Sequence, residues 1–339
     1  VAAALAALVA APGSASAASP PSPLPAEGSI GLRLIDAPVG ASDDPRAQIY
    51  IVDHLAPGSV IRRRVEISST MTRTAEVVMY SAAAAVRGGA FVPAEGHAPN
   101  DLSTWTSVRP GAPQVPAGGR VTATVTIAVP HDAAPGEQYA VVWAEVRSDP
   151  GSNGGVTRVN RVGIRVYLSV GPGGAPAAAF TVTALTAERA SDGRPRVLAT
   201  VHNTGGRALD LNGTLRLLAG PGGLSAGPFP VDLGTTLAIG ESGQAAINLD
   251  GRLPDGPWDA RLTLRSGLLE REAHATITFP TTGAAAPVST RSASRGWLTA
   301  AAVIVLLILL GVAGVLVVAK RRPDRRPAPA RRPIPLLPR

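Results

Sequence analysis

Between residues 121 and 129 the side chains alternate with a period of two: Val121, Ala123, Val125, Ile127 and Val129 are apolar, and Thr122, Thr124 and Thr126 between them are not. An extended strand sends every second residue to one face, so this stretch reads as a half-buried strand. The alternation returns where Val162, Ile164, Val166, Leu168 and Val170 interleave with Arg161, Gly163, Arg165, Tyr167 and Ser169. It returns again at 258–265 and at 272–279. Further strands are expected at 30–35, 48–55, 60–68, 74–82, 140–146, 180–188, 196–203, 209–218 and 244–249. Turn signals such as Ala56-Pro57-Gly58, Pro116-Ala117-Gly118-Gly119 and Ala134-Pro135-Gly136 separate them. No amphipathic helical pattern competes over these residues. The expected fold class is therefore all-β, as sandwiches of immunoglobulin-like type.

Two sandwiches fit the length. The Gly/Pro stretch 171–176 suits neither a helix nor a central strand and divides 29–170 from 177–280. The chain has no cysteine, so each sandwich must be held by its own core without disulfides. Residues 18–28 read as a Pro-rich spacer and 281–296 as an extended spacer of small and polar residues.

The spacer leads into 297–319, 23 residues without a charge. As a helix they would span about 34 Å, enough for a hydrocarbon core of about 30 Å, so a single transmembrane helix is expected. Residues 320–339 carry eight basic side chains and one acid, or +7 of the chain's formal +8, which leaves about +1 for everything else. That asymmetry places the basic tail in the cytoplasm and the sandwiches outside, with membrane lipid as a partner of the one helix. It also argues against a basic ectodomain that seeks nucleic acid. Residues 1–17, apolar and closing on Ala15-Ser16-Ala17, have the pattern of a signal peptide that lacks its start.

Ala56-Pro57-Gly58, Leu102-Ser103-Thr104-Trp105, Val115-Pro116-Ala117-Gly118-Gly119, the run from Val129-Pro130-His131 to Gln138-Tyr139-Ala140, and the closing Arg161-Val162-Gly163-Ile164-Arg165-Val166-Tyr167-Leu168 follow one another in a set order. With the order of the parts around them, these residues resemble the WxL-interacting proteins of Gram-positive cell surfaces. The resemblance covers 30–170. It implies a peptidoglycan-binding first sandwich, a second immunoglobulin-like sandwich and a C-terminal membrane anchor.

Catalytic chemistry is hard to place. Gly223-Leu224-Ser225-Ala226-Gly227 matches the Gly-x-Ser-x-Gly nucleophile elbow in letters, but that elbow needs a strand-to-helix turn, and here it sits among Gly and Pro in an all-β region. His54, His97, His131, His202 and His274 are scattered without metal-ligand spacing, and Asp36, Asp43 and Asp44 lie in a turn-rich segment. A non-enzymatic protein without a cofactor or metal is expected. The candidate ligand-binding residues are Tyr139, Trp143, Arg161, Arg165 and Tyr167, which share one face if their strands pair as a hairpin, and Trp105 in the irregular stretch 86–114. Aromatic rings stack on sugars and arginine forks grip carboxylates, so peptidoglycan or a wall-associated protein is the expected partner. The alternative is a structural stalk or accessory subunit of a surface complex. A last feature, Phe279-Pro280-Thr281-Thr282-Gly283 ahead of the apolar run, resembles a sortase signal with Phe in place of Leu, although Phe279 also completes a strand alternation.

Overall fold

The computed structural model describes residues 28–38, 41–147, 157–232 and 234–292. The expected signal peptide, transmembrane helix and basic tail lie outside the described residues. No helix among the described residues is long and apolar enough to cross a membrane. The chain divides into two compact all-β units, the first containing residues up to Ala178 together with Gly205–Asp210 and Thr236–Ile239.

In chain order the first unit begins with β1 (Ile30–Leu34), a short helix α1 (Pro45–Ile49), β2 (Ile51–Leu55) and β3 (Val60–Ser69). There follow β4 (Ala75–Glu76), β5 (Val78–Arg87), β6 (Ala90–Pro93), the helix α2 (Asp101–Trp105), β7 (Thr106–Arg109), β8 (Gln114–Val115), β9 (Arg120–Ala128), β10 (Gly136–Arg147) and β11 (Val159–Val170). They build a four-stranded sheet in the order β1-β3-β9-β7 and a five-stranded sheet in the order β2-β11-β10-β5-β6. Between these sheets the alternation predicted from sequence becomes a core: Val65, Ile67, Ala123, Val125 and Ile127 meet Ala140, Val142, Ala144, Ile164, Val166 and Leu168, all buried. β10 and β11 form the expected antiparallel hairpin, with Tyr139 opposite Tyr167 and Trp143 opposite Gly163.

The stretch 86–114, expected to be irregular, holds β6, α2, β7 and β8. The helix α2 is too short to show a 3.6-residue period, and its signal is its cap. The Asn100 side chain accepts from the Ser103 N–H while Ser103 Oγ accepts from the Asn100 N–H, a reciprocal capping box. Asn100 also donates to the Tyr139 carbonyl at 2.8 Å, which fixes the helix against β10.

The second unit contains β12 (Phe180–Arg189) and β13 (Pro195–Asn203); β14 (Leu209–Asp210) belongs to the first unit; then come β15 (Asn212–Leu218) and β16 (Ala226–Pro230). β17 (Thr236–Leu237) pairs with β14 in the first unit, and β18 (Ser242–Asn248), β19 (Trp258–Ser266), β20 (Leu269–Ile277), β21 (Gly283–Ala284), β22 (Val288–Ser289) and β23 (Arg291–Ser292) complete the second. One sheet runs β18-β13-β12-β21, with β22 also on β12, and the other runs β16-β15-β19-β20-β23. Leu185, Val197, Ala199, Val201 and Ile247 are buried from the first sheet, and Leu215, Leu217, Trp258, Leu262 and Leu264 from the second. Gly220 is required beneath Trp258: a Cβ there would fall 2.1 Å from the indole Cζ3.

Two differences from the expected layout follow. The expected strand 209–218 is broken, and its first two residues are taken into the first unit. The expected spacer 281–296 is partly strand: Gly283–Ala284 and Val288–Ser289 pair with β12, and Arg291–Ser292 with β20. Two-residue pairings of small residues have no period to read, so the sequence pattern could not show them.

Candidate functional site

The outer face of the five-stranded sheet in the first unit collects the residues singled out from sequence, because Tyr139, Val141, Trp143 and Glu145 on β10 stand opposite Tyr167, Arg165, Gly163 and Arg161 on β11. The face then separates into a closed part and an open part.

The closed part is centred on Asp210, which sequence reasoning missed. Its carboxylate accepts from Arg46 Nε at 2.8 Å, from Arg165 Nη1 at 3.1 Å, from the Tyr167 hydroxyl at 2.8 Å and from the Thr236 hydroxyl at 2.8 Å. Arg46 is delivered by α1, whose N-cap Asp44 accepts from the Arg46 N–H and whose first residue is Pro45. Its guanidinium stands 4.7 Å over the Tyr167 ring and also donates to the Ala208 carbonyl. Arg165 lies over Phe91 at 4.8 Å and Tyr50 at 5.2 Å. Tyr139 and Tyr167 meet edge to face at 5.8 Å, and the Tyr139 hydroxyl donates to Glu137, which also accepts from the Ala208 N–H. Burial pushes the Tyr167 and Tyr139 hydroxyls far above the ordinary tyrosine range, and the neighbouring Asp210 and Glu137 carboxylates add to this. Burial also raises Glu137, outweighing the hydrogen bonds from Tyr139 and Ala208 that oppose it.

Of the two arginines expected to grip a ligand carboxylate, Arg165 meets the chain's own Asp210 through Nη1, while Arg161 stays exposed. Tyr167 is buried, and Tyr139 and Arg165 are engaged within the protein. The three are members of one polar cluster within the first unit. The signal for it was weak: Asp210 lies 45 residues beyond Arg165, and nothing local marks it as a partner.

The open part is built around Trp143. Gly163, directly opposite, leaves room for the indole to lie across β11; a Cβ there would come within 2.7 Å of Trp143 Cε3 and 2.5 Å of Val141 Cγ1. The exposed Arg161 guanidinium covers the ring at 4.6 Å, while the indole N–H is buried with no acceptor among the described residues. Next to Trp143 on β5 stands Tyr80, stacked on the exposed His97 at 3.7 Å and donating to Glu145 at 2.8 Å. Burial alone would raise Glu145, but its bonds from Arg147 and Tyr80 outweigh it and hold the carboxyl below the ordinary range. Trp143 and Arg161 are therefore brought together, with Tyr80 and His97 as partners that sequence reasoning did not name. Trp105 is not among them. It ends α2 and packs half-buried against the core of the sandwich.

Other expectations find their places. Ser225 of the Gly-x-Ser-x-Gly stretch leads into strand β16, not into a helix. It lines a depression of about 490 Å³ in the second unit beside Leu224, Phe229, Leu253 and Trp258, a lining without histidine. Asp36 pairs with Arg64, whose bonds hold its carboxyl below the ordinary range. Among the described residues no three His, Cys, Asp or Glu side chains gather where they could hold a metal ion. Phe279 is buried, its N–H donating to the Asp255 carbonyl at 2.7 Å.

No family model matches the chain, and no curated protein does. Among solved structures it is similar to a chain of the Salmonella enterica SafA pilin–SafB chaperone complex, at 10% identity and TM-score 0.41, over 73% of this chain and 96% of that one. It is also similar to the YadV chaperone, at 10% identity and TM-score 0.38 over 73% and 99%, and to the Pseudomonas aeruginosa CupB2 chaperone, at 10% and 0.36 over 67% and 97%. Likeness at this level carries no argument about what the chain binds.

Proposed function

We propose that the protein is a non-enzymatic accessory subunit of a cell-surface assembly, held to the membrane through 297–319 with its sandwiches outside, and that it docks a protein partner on the open part of the first unit's five-stranded sheet. The observation that carries the docking reading is the Trp143–Arg161–Tyr80–His97 group. Trp, Tyr and Arg are the side chains that dominate the energetics of protein interfaces, and the indole covered by the exposed Arg161 guanidinium, beside Tyr80 stacked on the exposed His97, offers a partner aromatic area with charge at its edge. Filling of the Arg46–Arg165 fork by Asp210 weighs against the rival reading, in which the same face grips the peptide carboxylates of peptidoglycan. The resemblance to WxL-interacting proteins and the anchored topology rest on the sequence.

A photocrosslinking side chain placed at His97 of the full chain in intact cells tests this. One protein adduct of defined mass is expected, abolished by Trp143→Ala while the circular dichroism spectrum is kept. Absence of that adduct, with cosedimentation of the chain on purified peptidoglycan, would transfer the function to the wall polymer.

A further inference from the structure

The opposite broad face of the first unit, on the sheet β1-β3-β9-β7, has a different chemistry. Register aligns Arg33, Glu66 and Thr122 in one row, Arg64, Thr124 and Arg109 in the next, and Arg62, Thr126 and Ser107 in the third, with Ser68 and Arg120 beyond the first. A column of threonines thus runs down β9 between columns that carry arginine. Arg33, Arg62, Arg64, Arg109 and Arg120 are all exposed. The acids among them are Glu66, 3.1 Å from Arg33 and 3.8 Å from Arg120, and Asp36, 2.7 Å from Arg64. Five cations against two anions leave the face at +3, although the whole chain apart from its tail carries only about +1. Arg62 and Arg109 have no ion-pair partner among the described residues, and the hydroxyls of Thr122, Thr124 and Thr126 make no hydrogen bond there.

Strand geometry sets the spacing. Residues two apart on a strand are separated by about 7 Å and adjacent strands by about 4.8 Å, so Arg62 and Arg64 are about 7 Å apart and Arg64 and Arg109 about 10 Å. The face carries no aromatic ring, and its exposed large apolar side chains are Val60 at one corner and Ile35 at the edge beside Arg64. A protein interface is built on an apolar, aromatic centre, which is missing here. Single-stranded nucleic acid is held on stacking rings, which are also missing. What remains is a flat array of guanidinium forks with hydroxyls between them.

We propose that this face binds a linear phosphodiester-linked glycan or polyol, with Arg62 and Arg109 forking phosphate oxygens, Arg64 held in place between them by Asp36, and the threonine column bonding to the hydroxyls between phosphates. A phosphate in every backbone link lets one chain meet more than one arginine at once, and guanidinium matches phosphate oxygens bidentately. This assignment is independent of the docking platform on the other sheet.

The test uses the full chain, so that its basic tail is the same in every variant, with phosphomannan as probe and polygalacturonate, polyglutamate and neutral dextran as comparisons. Arg62→Gln with Arg109→Gln removes two exposed, unpaired cations. It is expected to weaken phosphomannan binding about tenfold and to flatten its dependence on salt. Thr124→Val is expected to weaken it by a smaller factor at unchanged salt dependence. Arg87→Gln with Arg216→Gln, two exposed arginines elsewhere, should leave it alone. The proposal is overturned if the two double variants behave alike, or if Thr124→Val is without effect. It is also overturned if polygalacturonate or polyglutamate binds as tightly as phosphomannan with the same sensitivity, since the site would then read any polyanion.

Discussion

Asp210 holds two guanidiniums, a phenol and a threonine hydroxyl, and the side chains of Arg46 and Asp210 are only 6% and 15% exposed. Removing one partner of such a group leaves the others charged or polar without an answer, at a cost of about 3–5 kcal/mol. Asp210→Ala should accordingly lower the melting temperature by roughly 10 °C, and a shift of under two degrees in differential scanning calorimetry would mean that water already answers the arginines. Glu137 makes a complementary case. Its folded-state pKa is raised above the ordinary 4.5, so the stability it contributes is complete below that value and is lost as pH rises through the folded pKa. Glutamine keeps an oxygen for the Tyr139 hydroxyl and the Ala208 N–H but cannot ionise. Glu137→Gln is therefore expected to match the parent near pH 4 and to lose less stability than the parent on going to about pH 8; parallel melting-temperature profiles would contradict that sign.

At the scale of elements, Gly163 and Trp143 show how one strand makes room for another's side chain. Gly163→Ala should displace the indole at a cost of about 1–3 kcal/mol, read as a red shift of tryptophan emission together with loss of stability; an unshifted spectrum would place the ring elsewhere. Sheet edges are managed by similar local means. The Arg64 N–H on β3 is capped by the Asp36 carboxylate, the Arg62 carbonyl by the Arg63 guanidinium, and β16 carries Pro228 and Pro230, so these edges offer little to a foreign strand. The hairpin of β10 and β11, its inward Val and Ala, and the meeting of Trp143 with Arg161 were legible because a period of two fixes which side chains share a face once two strands pair. The closure of Tyr139, Arg165 and Tyr167 was not, because it depends on residues 205–210 and 236–239 entering the first unit, and alternation says nothing about which distant segment covers a face. The short helices α1 and α2 escaped for a local reason: five residues are held by Asp44 and Asn100 caps and not by any apolar stripe.

At the scale of the whole molecule, charge and hydropathy are divided sharply along the chain. Two all-β units without a disulfide rest on apolar cores, nearly all the net charge sits in 320–339, and the longest uncharged apolar run, 297–319, immediately precedes it. A helix of that run is long enough for a bilayer, and eight basic residues beside it resist translocation, each at a cost that a neutral tail would not meet. The expected topology therefore has His97, Trp143 and the arginine–threonine face on the outside and Arg325 inside. Protease added to intact cells should remove an epitope placed at the exposed hairpin residue Leu268 and spare one placed after Arg339, and permeabilisation should expose both. Spared Leu268 with a cleaved tail would reverse the orientation and deprive both binding faces of any surface partner. Cleavage of both epitopes in intact cells would mean that the apolar run does not cross the membrane, and the chain would then have to be held at the surface by what its two sandwich units bind.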